Sequence, residues 1–373
     1  MTGATLQRAL EHQSRARMAL DAALASGPSH AYLFRGPRGA GKRGAARAFA
    51  AEILAGAAGT AGDADDARRR ALLDPSPHPD LVWLAPPGAQ HMVEDVRERV
   101  IRAAVYRPFE GGKRVFVIEA AEAMRDESQN ALLKTLEEPP SFVHLILLTA
   151  EPAALLETIA SRCQPVDFAP LPVEAVEAAL ADAGGGQEEI AAAARLSGGD
   201  VELARMLLSE AGSRLREQAV AMDWRALLKS AEQAGEEAEA SAREALEADK
   251  EAGVKRSARD IADAAKRAGR RRRTELLDLG LRLLATWFRD LAAVATGAEE
   301  VIHNRDRLDR LRALVADERC IDHQERGKRS VRDPGACRRA AEQVQDTRRS
   351  LDLNVSEELA LEALSYRLAT VLR

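Results

Sequence analysis

YLFRGPRGAGKRGAARAFAAEIL, residues 32–54, reads as an apolar strand, a glycine-rich turn and an alanine-rich helix in direct succession. Gly36, Gly39, Gly41 and Lys42 stand at the spacing G-x-x-x-x-G-K. In that context the glycines let backbone N–H groups wrap a phosphate at a helix N-terminus, and the lysine reaches the β/γ oxygens. These four residues are the candidate cofactor-binding set, for ATP or ADP held weakly. The next position needs a hydroxyl to coordinate Mg²⁺, and it is Arg43, whose guanidinium has five donors and no lone pair. The turn is therefore read either as a weak nucleotide site or as a degenerate glycine turn with no ligand.

Outward from this turn, short apolar runs recur at DLVWLAP (80–86), VFVIEA (115–120), VHLILLTA (143–150) and VDFAPL (166–171). Their apolar character is continuous rather than alternating, which predicts strands covered on both faces and a largely parallel sheet in an α/β domain over 1–172. After Pro170 and Pro172 the strand signal ends, and 173–212 reads as a small helical subdomain broken at Gly184–Gly186 and at Gly198 and Gly199. Residues 213–373 read as a helical domain: Leu276, Leu277, Leu283, Leu284, Trp287, Phe288 and Leu291 follow one helical face, and an amphipathic helix closes the chain around 357–372. Within this part, 236–273 is acidic over 236–251 and basic over 252–273, ending in Arg270, Arg271, Arg272 and Arg273. It reads as a solvated helix or flexible insertion, or as four arginines that touch phosphate. The stretch 319–350 reads as solvated helix or loop.

The chain has 373 residues, 46% of them hydrophobic, 30% charged and 3% aromatic, which excludes a collagen-like, mucin-like or wholly disordered chain and leans toward helix. Its formal net charge of −5 gives no general attraction for nucleic acid, so strong non-specific DNA binding by this chain alone is not expected. Cys163, Cys320 and Cys337 form no C-x-x-C pair, as in a reducing compartment. The N-terminus shows no apolar signal region, and 143–150 is too short to span a bilayer, so a soluble, cytoplasmic protein without a membrane partner is expected.

A phosphate loop that serves an ATPase needs a second part: an apolar strand ending in acids, one for Mg²⁺ and one to polarise water. VFVIEAAEAM (115–124) supplies the strand and Glu119, but the following position is Ala120. A positioned base is worth about 10²- to 10⁴-fold in rate. Without it, and without the metal-binding hydroxyl, negligible intrinsic ATPase activity is expected.

NALLKTLEEPP (130–140), followed by LLTAEPAALLETIASRCQPVDFAPLP (147–172), resembles the AAA+ core of bacterial clamp-loader subunits, and the likeness is strongest over about 28–172. The resemblance implies an AAA+ P-loop domain with a parallel sheet, a small helical lid and a C-terminal all-helical collar. Ser161-Arg162-Cys163 matches the family's SRC motif, so Arg162 is implied to be an arginine finger acting in trans on a neighbouring ATPase subunit; the plain alternative is a surface salt bridge. A guanidinium suits the finger role because it is permanently charged and can bond two oxygens of one phosphoryl group. Cys163 reads as a small buried hydrophobe.

Thr149 stands at the family's sensor-1 position, and Glu202 stands where motor subunits carry the sensor-2 arginine. The family's four zinc cysteines are missing from 55–80, so no zinc is expected. Neither His78, Asp80 and His91 nor Cys320, His323 and Cys337 offer paired short spacings with a fourth ligand, and no metal site is expected. The implied function is a non-hydrolytic stator of the DNA polymerase III clamp loader. Its implied partners are gamma/tau-type motor subunits, a delta subunit, the sliding clamp and, through the complex, primed DNA. The alternatives are a catalytically active gamma/tau-like motor and a DNA-binding protein that uses Arg270 to Arg273.

Overall fold

The computed structural model describes residues 4–86, 90–251, 257–316, 333–351 and 356–372. Two compact units divide the chain, Met1–Pro172 and Val173–Arg373.

The first unit contains β1 (Ala31–Arg35), β2 (Leu81–Leu84), β3 (Arg114–Ile118), β4 (Val143–Thr149) and β5 (Gln164–Asp167), and all pair in parallel in the order β2-β3-β4-β1-β5. The sequence-based boundaries of the first four strands hold to within two residues, whereas the last strand starts two residues before VDFAPL and ends four residues before its end. The pleat explains the continuous apolar runs. Tyr32, Phe34, Val115, Val117, Ile146 and Leu148 point into one apolar cluster, while Leu33, Phe116, Ile118, Leu145 and Leu147 point into the other. Each large side chain so buried contributes about 1.5–3 kcal/mol.

Helices α1 (Ala4–Ala9), α2 (Ser14–Ser26), α3 (Lys42–Gly56) and α4 (Ala61–Leu72) bring the first cluster its helical residues. The second is covered by α5 (Val93–Asp95) with its π-wound continuation Val96–Arg102, by α6 (Asp126–Glu137) and by the short α7 (Glu157–Ala160). Consecutive parallel strands require such crossovers.

The second unit is helical: α8 (Val173–Ala179), α9 (Gln187–Ser197), α10 (Val201–Leu208), α11 (Glu210–Ala221), α12 (Trp224–Glu251), α13 (Ala258–Thr296), α14 (Leu308–Ala316), α15 (Pro334–Leu351) and α16 (Glu357–Val371). The first helices break at the expected glycines: Gly198 is the left-handed C-cap of α9, and the Asp200 side chain caps α10 by accepting from the Glu202 and Leu203 N–H groups. Trp287 and Phe288 are buried core residues, and the Arg310 guanidinium lies 5.5 Å from the Trp287 ring centre.

Two expectations are corrected here. The described part of the charge-polarised stretch is neither a lone solvated helix nor a flexible insertion: α12 and the first half of α13 pack as a pair. Gly235 meets Gly269 so closely that a Cβ on either would come within 2.9 and 2.8 Å of the other's carbonyl oxygen. Ala242 and Leu246 on α12 and Ile261, Ala264 and Ala265 on α13 are buried. Large apolar residues are few because helices that touch backbone to backbone need only small ones. Arg273 pairs with Glu357 at 2.6 Å and Glu232 at 3.4 Å, and Arg271 with Glu275 at 2.9 Å. Likewise, 334–351 is helix, as one of the two expectations had it, but not a solvated one: α15 buries Cys337, Ala340, Val344 and Thr347 and packs on α13 and α16. Residues 317–332, including Cys320 and His323, lie outside the described residues.

Candidate functional site: the phosphate-type loop and the SRC arginine

The parallel sheet gathers the glycine loop, Glu119, Ala120 and Thr149 at the carboxyl edge of β1, β3 and β4, but not Arg162 or Glu202. Arg35 pairs with Thr149, and the Gly36 N–H donates to the Thr149 carbonyl at 3.3 Å. Gly36 has no alternative at its position, since a Cβ there would stand 2.2 Å from the Phe168 carbonyl oxygen. Gly41, at φ +83, is the left-handed residue that lets α3 begin at Lys42. Loop and helix follow the order the sequence predicts. The Lys42 ammonium donates to the Gly36 and Pro37 carbonyls at 2.5 and 2.6 Å, so it lies folded over its own loop.

The metal half of such a site is built from the chain's own ions. Arg43 Nη2 lies 2.9 Å from Asp74 Oδ2, and its Nε lies 3.8 Å from Glu119 Oε2. The same Glu119 oxygen accepts the Trp83 indole N–H at 3.0 Å. Arg47, one turn beyond Arg43, pairs with Asp74 Oδ1 at 2.9 Å and places its guanidinium carbon 4.5 Å from the Trp83 ring centre. These donors do not fit magnesium: a permanent cation stands where a hydroxyl ligand would, and the carboxylate that would share the metal is already bonded. No chemical step is therefore assigned through a metal–nucleotide complex in this pocket.

Ala120 sits in the left-handed region at φ +49 and offers no base. The nearby Glu122 carboxylate accepts the Ala150 N–H at 3.3 Å, and the Thr149 hydroxyl accepts the Glu151 N–H at 3.0 Å. Both groups are turned toward the exit of β4. His91, buried below this corner, has Nε2 2.7 Å from the Glu119 carbonyl oxygen. Burial pushes its pKa down, only partly offset by the Glu119 and Ala120 backbone carbonyls.

Several members of this site escaped sequence reading. Gln13 is one: its Nε2 donates to the Ala40 carbonyl at 3.1 Å and the Ala169 carbonyl at 2.8 Å, and its Oε1 accepts the Ala169 N–H at 3.0 Å. It fastens the loop to the exit of β5 from a position with no motif. Arg47 was within reach of sequence reading, because it lies four residues after Arg43 on one helix face. Trp83 and Asp74 were not, since their roles depend on how α4 and β2 approach α3.

Arg162 follows α7, in the layer opposite α3. Ile159 and Cys163 on either side of it belong to the second apolar cluster. Its Nη1 donates to the Thr158 carbonyl at 2.9 Å and its Nη2 to Glu137 Oε1 at 2.7 Å, with about a third of the side chain exposed. Cys163 is buried, which pushes its thiol pKa up to about 12. In the second unit Glu202 is exposed near the start of α10, 3.4 Å from Arg205.

Of the candidate metal residues, His78 Nδ1 accepts the Asp80 N–H at 3.2 Å, and the Asp80 carboxylate accepts the Phe109 and Glu110 N–H groups at 2.8 and 2.7 Å. Among the described residues no group of three His, Cys, Asp or Glu side chains could hold a metal ion. Nor, among them, is any helix long and apolar enough to cross a membrane.

Residues 12–172 match the family described as DNA polymerase III, delta subunit. DNA polymerase III subunit delta' of Pseudomonas aeruginosa is 36% identical over 211 residues, covering 52% of this chain and 63% of that protein. The Bacillus subtilis delta' subunit is 34% identical over 152 residues, 40% of this chain and 45% of its own. The gamma/tau subunit of Mycobacterium tuberculosis is 36% identical over 154 residues, 41% of this chain and 26% of its own. The chain thus spans under two thirds of the length of each of these relatives. A gamma-subunit-related protein of Thermotoga maritima aligns with 96% of this chain and 100% of its own at 16% identity, with a TM-score of 0.45. Residues 12–172, the part of the chain that holds the parallel sheet and the loop after β1, are thus similar to delta' and gamma/tau subunits of DNA polymerase III.

Proposed function

We propose that this protein is a delta-prime-type stator of the clamp loader: a subunit with the AAA+ framework, no ATP hydrolysis of its own, and an arginine lent to its neighbour. The observation that carries this reading is the Arg43 guanidinium between Asp74 and Glu119, in a site whose base position is Ala120. The pocket's own charges take the metal's place, while Arg162 keeps an exposed edge on the other layer.

In this reading Arg162 reaches the γ-phosphate held by an adjoining gamma/tau-type subunit. There a finger supplied in trans is worth roughly 10³- to 10⁵-fold in turnover. Residues 173–212 serve as the helical lid and 213–373 as the collar that joins the ring. The partners are the motor subunits, a delta subunit and the sliding clamp, with primed DNA met through the assembly in the cytoplasm. Of the four arginines, Arg271 and Arg273 pair with Glu275 and Glu357, which speaks against phosphate contact by these two in the isolated chain.

Reconstitution with the cognate motor and delta subunits tests the proposal. ATP turnover of the assembly should fall by at least about 10³-fold with Arg162→Ala and stay unchanged with Lys42→Ala. The opposite pattern, loss with Lys42→Ala alone, would make this chain a motor.

A further inference from the structure

Arg162 does not project freely. Its two terminal nitrogens are held by different elements: Nη1 by the Thr158 carbonyl one turn earlier, and Nη2 by the Glu137 carboxylate at the last residue of α6. Two bonds to two nitrogens fix the plane of a guanidinium, and five donors less two leave three N–H groups for another acceptor.

The same helix also fixes the segment from which Arg162 departs. Gln129, eight residues before Glu137 and so about two turns earlier on one face, accepts the Leu156 N–H at 2.8 Å and donates to the Ala154 carbonyl at 3.3 Å. Leu132 and Leu136 on α6 and Ile159 on α7 are buried in one cluster, which locks the two helices together. α6 therefore acts as a jig: Gln129 sets the start of α7 and Glu137 sets the arginine at its end.

We propose that Glu137 is a positioning residue for Arg162, orienting the guanidinium so that its remaining N–H groups meet a phosphoryl group on the neighbouring subunit. This rests on the stator reading above. An unheld arginine must surrender its rotamer freedom when it engages phosphate, and a misplacement on the ångström scale costs up to about 10²-fold in rate. Glu137 and Arg162 are both partly exposed, so their ion pair adds little to folding, and an effect of Glu137 on turnover is separable from stability.

The test uses the full reconstituted complex, with steady-state ATP turnover for wild type, Arg162→Ala, Glu137→Ala, Glu137→Gln and the double variant, each checked for assembly by size-exclusion chromatography. Glu137→Ala should lower kcat about 10-fold with KM for ATP unchanged. Glu137→Gln, which keeps an acceptor, should recover part of the loss. Glu137→Ala should add nothing in the Arg162→Ala background, because it acts through that side chain. If Arg162→Ala lowers turnover while Glu137→Ala leaves it unchanged, raises it, or multiplies with the arginine loss, the positioning role is overturned and the stator reading stands. Unchanged turnover with Arg162→Ala overturns both.

Discussion

Arg43 Nε lies 3.8 Å from Glu119 Oε2, so the residue at the metal-hydroxyl position of the loop faces the one acid retained at the end of β3. Their charges offset each other where a divalent ion would otherwise do so. Replacing Arg43 with threonine removes the resident cation beside Glu119 and restores a hydroxyl ligand. Arg43→Thr should therefore acquire nucleotide binding that is at least about 10-fold tighter with Mg²⁺ than with EDTA, a gain of ~1.4 kcal/mol. Hydrolysis should remain absent because Ala120 still offers no base. Calorimetric titration with ADP and ATP in the two buffers checks this, and equal affinities in both would count against the role given to Arg43.

Alanine normally stabilises a helix interior relative to glycine, by about 1 kcal/mol. At Gly235 and Gly269 the sign should reverse, since the added Cβ would stand 2.9 or 2.8 Å from a backbone oxygen of the facing helix. Gly235→Ala and Gly269→Ala should each lower stability by about 1–3 kcal/mol. Urea unfolding followed by circular dichroism measures this, and a stabilising alanine would remove the close crossing from the account of α12 and α13.

Cys163 is closed off by burial, and its pKa of about 12 leaves the thiol protonated near neutrality. Iodoacetamide at pH 8 should label native Cys163 at least about 10²-fold more slowly than the urea-unfolded chain, read by mass spectrometry of the peptide. Cys163→Ser should cost about 1–3 kcal/mol by placing a hydroxyl in an apolar cluster.

His78, His91 and His144 are buried, and burial is the largest cause lowering the pKa of each. The unfolded chain then takes up protons first as the pH drops. Their contribution to stability is fully present above the unfolded value near 6.5 and is lost as the pH falls toward the lower folded values, at about 1.4 kcal/mol per pH unit per histidine. Stability should decline from pH 7.5 to 5.5, and His91→Gln, which keeps a donor toward the Glu119 carbonyl, should flatten the slope. Denaturant midpoints at the two pH values decide it; an unchanged slope would discount His91.

Much of the first unit was legible before any coordinates, because sheet and loop obey local rules. Tyr32 to Phe34 and Val143 to Thr149 are apolar without interruption, as two-sided burial requires, and Gly36 to Lys42 are spaced for one backbone geometry. The deletions were equally plain, since Arg43 and Ala120 lack the atoms that metal and water chemistry need. The second unit was harder. Residues 236–273 are poor in large apolar groups, and a composition-based reading takes that for solvation, whereas Gly235 and Gly269 show the opposite cause: a contact too tight for anything larger.

What the sequence by itself determined was the order of strands and turns and which catalytic atoms are absent, because both follow from residue type and spacing along the chain. Which charges meet was decided only by the tertiary structure. Arg43 faces Asp74 from 31 residues away, Gln13 reaches Ala169 across 156, and Arg162 rests on Glu137 across 25. Partners so separated share no pattern in one dimension; packing of the apolar clusters brings them within bonding distance, and there the electrostatics of the site are set.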